Sequence, residues 1–320
     1  TDGDDLINNG ISPDSPFKTI DHALSLAYGT QANPITIHIA PGYYSPNQTG
    51  EKYPLQMVKW VSLQGDGPQN TILDAEADAI APSRVIVCDN VEGVRIDGLS
   101  ILNGYVTTGK NYHGAGLASL NSHLSVSNIS IENCFAAGNG AGIYLYYSQA
   151  VLDSLSLSYN QATGSGAAVF SLASDLTLQN SLLNQNSSGG FGGGCYATQT
   201  QAQIQGNQIT SNTANGNQRR GGGIYLVALV DPVVTNNGIS NNSAYHGGGI
   251  ATQDCSGILL ANNIICNNLA TYWGGGFHHA TTTGNLYNNL FANNTAGTYG
   301  GALYASSSLN ITNNTLANNR

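Results

Sequence analysis

The residues best suited to chemistry lie in the C-terminal half of the chain: Arg219 and Arg220, the histidines His246, His278 and His279, and a dense set of rings around them. Tyr245 directly precedes His246, Tyr272 and Trp273 precede the glycines before His278, and Tyr299 and Tyr304 bracket the next glycine pair. An arginine can neutralise a carboxylate, and His246, His278 or Tyr304 can give or take a proton. Those are the groups that β-elimination beside a uronate carboxylate requires. Hydrolysis is disfavoured, because it needs two carboxylates about 5 to 9.5 Å apart. Beyond residue 110 only Glu132, Asp153, Asp175, Asp231 and Asp254 remain, at unrelated positions. A shared metal is also disfavoured, since neighbours on a strand point to opposite faces and His278 and His279 cannot both reach one ion.

What positions these groups is a repeat. The apolar residue after each glycine cluster falls at Leu117, Ile143, Val169, Cys195, Ile224, Ile250, Phe277 and Leu303, in steps of 26, 26, 26, 29, 26, 27 and 26. Asn236-Asn237, Asn262-Asn263, Asn288-Asn289 and Asn313-Asn314 keep nearly the same period, as does an apolar-x-x-Asn tetrad ending at Asn160, Asn186, Asn212, Asn242, Asn268, Asn294 and Asn319. Several markers in fixed phase define one structural unit per turn. Within a unit, short alternating runs such as 250–252, 258–260 and 264–266 are divided by Gly or Asn, which predicts three short strands and three corners. The fold expected is all-β: a right-handed, single-stranded parallel β-helix of about 26 residues per coil, on the order of 50 Å long if roughly eleven coils stack at the usual strand spacing. The apolar column fills it, and the asparagines form ladders up its length. "LDSLSLSYN", residues 152–160, matches a leucine-rich repeat, but no other coil keeps that leucine pattern.

Residues 1–30 are expected to form an N-terminal segment and capping helix, with Ser15 as N-cap, Pro16 as the first helical residue, and Phe17, Ile20, Leu24 and Ala27 on the covering face. Residues 31–320 are the helical coil, which stops inside a repeat and is expected to belong to a longer chain. Charged residues are only 8% of the chain and the net charge is -9; up to Asp97 there are 13 acidic and 5 basic residues, and beyond it 5 and 4. No basic stripe exists for nucleic acid, and no apolar run of about 20 residues exists for a membrane span. Cys88, Cys134, Cys195, Cys255 and Cys266 contain no C-x-x-C pair, so zinc and redox motifs are unsupported. A Cys255–Cys266 disulfide is left open. "GGFGGG", residues 189–194, fits a phosphate-loop pattern without a following helix and is expected to be a corner. No cofactor is expected. Asp2, Asp4 and Asp5 are the one acidic cluster that could hold calcium, without the required loop spacing, and a disordered acidic terminus is the expectation.

"SPFKTIDHALSLA", "ITIHIAPGYY" and "VSLQGDGPQNTILDA" resemble the entry turns of the pectin lyase-like, right-handed β-helix superfamily over most of residues 11–103. "GGAL" at 300–303 and "FANN" at 291–294 are similar to the GGA[ILV] and FxxN repeats of chlamydial polymorphic outer-membrane proteins, which implies a surface-displayed passenger domain. The superfamily includes polysaccharide lyases, polygalacturonases and epimerases. The acidic ladder of calcium-dependent pectate lyases, the N-T-D, D-D, G-H-G and R-I-K set of polygalacturonases and the D-P-H-D motif of mannuronan epimerases have no counterpart here.

On each coil the residue after the apolar column reads Ala118, Tyr144, Phe170, Tyr196, Tyr225, Ala251, His278 and Tyr304, and it is expected to face outward as an aromatic ladder. Four residues before the column lie Phe191, Arg220, His246, Trp273 and Tyr299, flanked by Tyr245 and Tyr272. The three-residue excess near 214–220 is expected to bring Arg219 and Arg220 to the same edge. Together these residues predict an axial groove of a secreted or cell-surface protein. Its expected role is polysaccharide binding through Tyr144, Phe170, Tyr196, Tyr225, Arg219, Tyr245, Tyr272, Trp273 and Tyr299. The alternatives are a metal-independent lyase using Arg220, His246, His278 and Tyr304, and a non-catalytic adhesin or spacer.

Overall fold

Backbone conformation at the corners dictates the coil. The eight glycines that precede the apolar column, Gly114, Gly140, Gly166, Gly192, Gly221, Gly247, Gly274 and Gly300, all adopt φ between 61° and 72°. Glycine is required there on two counts. The left-handed region disfavours a Cβ, and one added at Gly247 would stand 2.3 Å from the Ile250 carbonyl oxygen. A second corner uses asparagine instead, whose short amide tolerates the same region: Asn236, Asn262, Asn288 and Asn313 have φ of 58°, 57°, 57° and 53°.

A computed structural model describes residues 3–107, 112–281 and 283–320. Three parallel sheets run its length: an 11-stranded sheet from Ile35–His38 to Leu309–Thr312, a 10-stranded sheet from Leu55–Gln56 to Leu303–Ala305, and an 11-stranded sheet from Gly42–Tyr44 to Thr315–Ala317. A fourth, 8-stranded sheet from Tyr105–Val106 to Thr295–Ala296 is built mostly of two-residue strands, too short to announce themselves by alternation. Every strand pair among the described residues is parallel and successive coils lie in register: Leu117 pairs with Ile143, Ile143 with Val169, Val169 with Cys195, Cys195 with Ile224, Ile224 with Ile250, Ile250 with Phe277, and Phe277 with Leu303. The chain is therefore a parallel β-helix. From Leu117 to Phe277 the column is fully buried, and it belongs to one continuous apolar core.

Two asparagine ladders brace this core. In one, the side-chain oxygen of each Asn accepts both the backbone N–H and the Nδ2 of the Asn one coil earlier, from Asn160 through Asn186, Asn212, Asn242, Asn268 and Asn294 to Asn319, at 2.9–3.1 Å. A second ladder links Asn207, Asn237, Asn263, Asn289 and Asn314 in the same way. In each Asn-Asn pair the first residue turns the chain and the second feeds the ladder.

Helix α1 (Ile20–Leu26) buries Ile20 and Leu24 against the first coil. It starts later than the sequence signals suggested: Thr19, not Ser15, is the N-cap, and its side chain accepts from the His22 N–H. The cause is non-local. Glu51 accepts from the backbone N–H groups of Ile20 and Asp21, both at 2.8 Å, and Asp5 accepts from those of Lys18 and Thr19 and from the Thr19 hydroxyl. Asp5 thereby orders the acidic terminus that was expected to be disordered. Asp4 accepts from Leu6 and Ile7, so both carboxylates are occupied by backbone donors, while Asp2 lies outside the described residues. All five cysteines are free thiols, so the Cys255–Cys266 bridge is not formed.

Candidate functional site

The outward column of the 10-stranded sheet is a distinct structure. Its members Tyr144, Phe170 and Tyr225 are buried but stand outside the apolar core cluster. Tyr144 and Phe170 stack with ring centroids 5.4 Å apart and Phe170 and Tyr196 at 4.9 Å, whereas Tyr225 lies 5.6 Å from Tyr196 with its plane tilted by 56°. The ladder is thus real, but it is not an open shelf. Exposures of 7% for Tyr144, 5% for Phe170, 4% for Tyr225 and 2% for His278 correct the expectation of solvent-facing rings. A ring whose two faces are covered by its neighbours offers a sugar only its edge.

The covering comes from the residues just before the corner glycines. Phe191, Arg220, His246, Trp273 and Tyr299 each precede one, and for Phe191, His246 and Trp273 the sharp turn folds the side chain back over the column of the next coil. Phe191 meets Tyr225 at 5.3 Å, His246 meets His278 at 4.9 Å, and Trp273 stacks on Tyr304 at 4.8 Å and 9°. His113 occupies the same phase, stacks on Tyr144 at 4.7 Å, and is fixed by Arg84, whose Nε and Nη2 donate to its carbonyl. Its place four residues before Leu117 is the signal that would have found it.

At the rungs around Ala251 the ring stack is interrupted, and polar groups replace it. Arg220 bridges His246 and Trp273 bridges Tyr299 across adjacent coils, while His246 pairs with Trp273 beside a bulge that accommodates Tyr272. The column rungs pair Tyr225 with Ala251, Ala251 with His278, and His278 with Tyr304. The four proposed acid–base or charge-neutralising residues, Arg220, His246, His278 and Tyr304, are therefore brought together. Arg219 turns away, its guanidinium lying over the Phe191 ring at 5.2 Å. His279 points the other way, into the coil, where its Nδ1 lies 3.1 Å from the Thr252 hydroxyl.

Among the described residues, five buried side-chain polar atoms have no hydrogen-bond partner, and four are here: Arg220 Nε, His246 Nδ1, His278 Nδ1 and Trp273 Nε1. Each such atom ordinarily costs about 1–3 kcal/mol. Burial, together with the neighbouring Arg220, holds His246 down to about 4; burial, then His246, Arg220 and His279, holds His278 down to about 3. Both imidazoles are neutral at pH 7. Burial raises the Tyr225 hydroxyl to about 12, against the opposing pull of Arg220, and that hydroxyl donates to Gln253 Oε1 at 3.0 Å. No group of three or more His, Cys, Asp or Glu side chains among the described residues could hold a metal.

Fold and seam together define a parallel β-helix with a stacked aromatic seam along one edge. The chain belongs to the family described as "Protein of unknown function (DUF1565)", which matches residues 1–193. The Chlamydia polymorphic membrane protein repeat matches residues 290–306. No curated protein matches the chain. Solved structures of similar shape include the A-module of the mannuronan C-5 epimerase AlgE4 of Azotobacter vinelandii, at 13% identity and a TM-score of 0.43 over 93% of this chain and 90% of that one. The AlgE6 A-module of the same organism is 13% identical with a TM-score of 0.35, covering 92% and 91%. PfbA, a surface adhesin of Streptococcus pneumoniae, is 11% identical with a TM-score of 0.44, covering 93% and 87%. No helix among the described residues is long and apolar enough to cross a membrane.

Proposed function

We propose that this chain is an extracellular or cell-surface β-helix that binds polysaccharide along the edge formed by Tyr245, Tyr272, Trp273 and Tyr299. The observation that carries this is the coincidence on one edge of partly exposed rings in three successive coils with the three-residue enlargement of the 214–220 turn. Tyr245 and Tyr272 stack at 5.3 Å and stay half-buried, Trp273 lies 4.6 Å from Tyr272, and Tyr299 is 62% exposed. A rigid scaffold that presents such a surface, with functional loops beside it, suits an extended polymer. The buried members Tyr144, Phe170, Tyr196 and Tyr225 then serve as the backing that fixes the spacing of the edge.

Binding is preferred to elimination on physical grounds. A general base works best with a pKa near the operating pH, and His246 at about 4 and His278 at about 3 are too weakly basic to take a carbon-bound proton efficiently at neutrality. Screening the full chain on a polysaccharide array, with Tyr272→Ala and Tyr299→Ala beside it, tests the proposal. At least tenfold weaker binding in each variant is expected. Absence of binding to every polymer, or retention of full affinity by both variants, would overturn it.

A further inference from the structure

We propose that the Arg220, His246, Trp273 and His278 cluster is an oxyanion-binding subsite, taking a carboxylate or a sulfate ester carried on the bound glycan. This deepens the polysaccharide proposal and rests on it for the identity of the carrier. It stands on four buried polar atoms, contributed by successive coils, that the protein leaves without partners. Buried polar groups are almost always paired, so a cluster of exceptions calls for a partner from outside the chain. The chemistry of the atoms specifies that partner. Arg220 Nε–H and Trp273 Nε1–H can only donate, and each histidine Nδ1 can donate in one tautomer. Arg220 adds a permanent positive charge, which disfavours a metal cation and favours an anion. A group rich in acceptors and carrying negative charge satisfies all of them, and planar or tetrahedral oxyanions match a guanidinium edge.

The position also fits. Ring centroids of His246 lie 4.9 Å from His278 and 5.0 Å from Trp273, so the imidazoles and the indole share one locus. Ala251, at the intervening rung, supplies no ring to fill it. Arg220 is only half-buried and lies at the end of the enlarged 214–220 turn. Tyr272 and Tyr299, on the same edge, would hold the neutral remainder of the sugar chain.

The two indoles, Trp60 and Trp273, give a direct readout. Full-length protein labelled with ¹⁵N is titrated with sodium glucuronate, sodium sulfate and methyl glucoside while the indole N–H resonances are followed. The Trp273 signal is expected to shift saturably with glucuronate, sulfate or both, and not with the neutral glycoside. A response to glucuronate alone assigns a carboxylate; a response to sulfate alone assigns a sulfate group. Arg220→Gln is expected to weaken binding at least tenfold, Trp273→Phe to weaken it while preserving the ring, and Arg95→Gln, at an exposed site, to leave it unchanged. Should Arg220→Gln not fold, Trp273→Phe read by calorimetry carries the test. A Trp273 signal unmoved by either anion, moved equally by methyl glucoside, or anion affinity unaltered in the variants would overturn the inference. Neutral polysaccharide binding without an anion response would sink the subsite and spare the parent proposal; an anion response without polysaccharide binding would do the reverse.

Discussion

Burial of His246 and His278 makes the cluster a titrating element of stability as well as a site. An unfolded histidine has a pKa of 6.5, whereas the folded values are about 4 and about 3. As pH falls below about 6.5 the unfolded chain takes up protons that the native state refuses, so stability declines from there toward pH 4. The lowered carboxylates Asp5 and Asp97 act only at more acid pH, below the ordinary aspartate value of 3.8. Burial, then Arg84, also lowers His113; His278→Gln removes the larger of the His246 and His278 shifts. Thermal unfolding followed from pH 7 to pH 5 should show a shallower loss for His278→Gln than for the wild type; parallel curves would mean that the imidazole is protonated in the native state. At this scale the sequence was partly legible. The residue types of the cluster and the two phases they occupy, His278 just after the apolar column and Arg220, His246 and Trp273 four residues before it, could be read, because the repeat fixes phase. Their burial could not, since it follows from each ring folding back onto the next coil rather than from any local pattern.

The elements show the same division. Strand registers and asparagine ladders were readable because each recurs in coil after coil, so that a weak local signal is repeated until it is secure. Helix α1 occurs once and starts several residues later than its local signals indicate. Ser15-Pro16 is a sound local signal, but Asp5 and Glu51 reach the helix from distant segments and take the first turn elsewhere. The ladders also permit a quantitative test. Asn212 Oδ1 accepts from Asn186 N and Nδ2 at 3.0 and 2.9 Å, and its own Nδ2 donates to Leu183 O and Asn242 Oδ1 at 2.9 and 3.0 Å. Asn212→Ala strands these groups in the core and is expected to destabilise by about 3 kcal/mol or more, since each orphaned group costs about 1–3 kcal/mol. Asn310→Ala, on the exposed last coil, should stay within about 0.5 kcal/mol. Urea denaturation of both variants decides it, and equal effects would remove the ladder from the list of stabilising features.

For the whole molecule, parallel register makes stability close to a sum of coils and coil-to-coil interfaces, because each coil touches only its neighbours. Removing a full period should therefore be tolerated where removing half of one is not. Deleting residues 143–168 joins Gly142 to Val169 and brings Val169 onto Leu117 and Phe170 onto Ala118, the places that Ile143 and Tyr144 now occupy. Asn186 then meets Cys134, whose backbone N–H now donates to Asn160 Oδ1 at 3.1 Å, so the ladder closes again. The shortened chain is expected to keep its strand content per residue and its response at Trp273, with melting lowered by only a few degrees. Deleting residues 143–155 instead joins Gly142 to Ser156, which places residues of a different sheet at the column and turns apolar side chains into solvent. That variant is expected to aggregate or to show no cooperative unfolding. Circular dichroism and scanning calorimetry on the pair measure the difference, and a full-coil deletion as disruptive as the partial one would mean that stability is held by contacts spanning many coils rather than by neighbours alone.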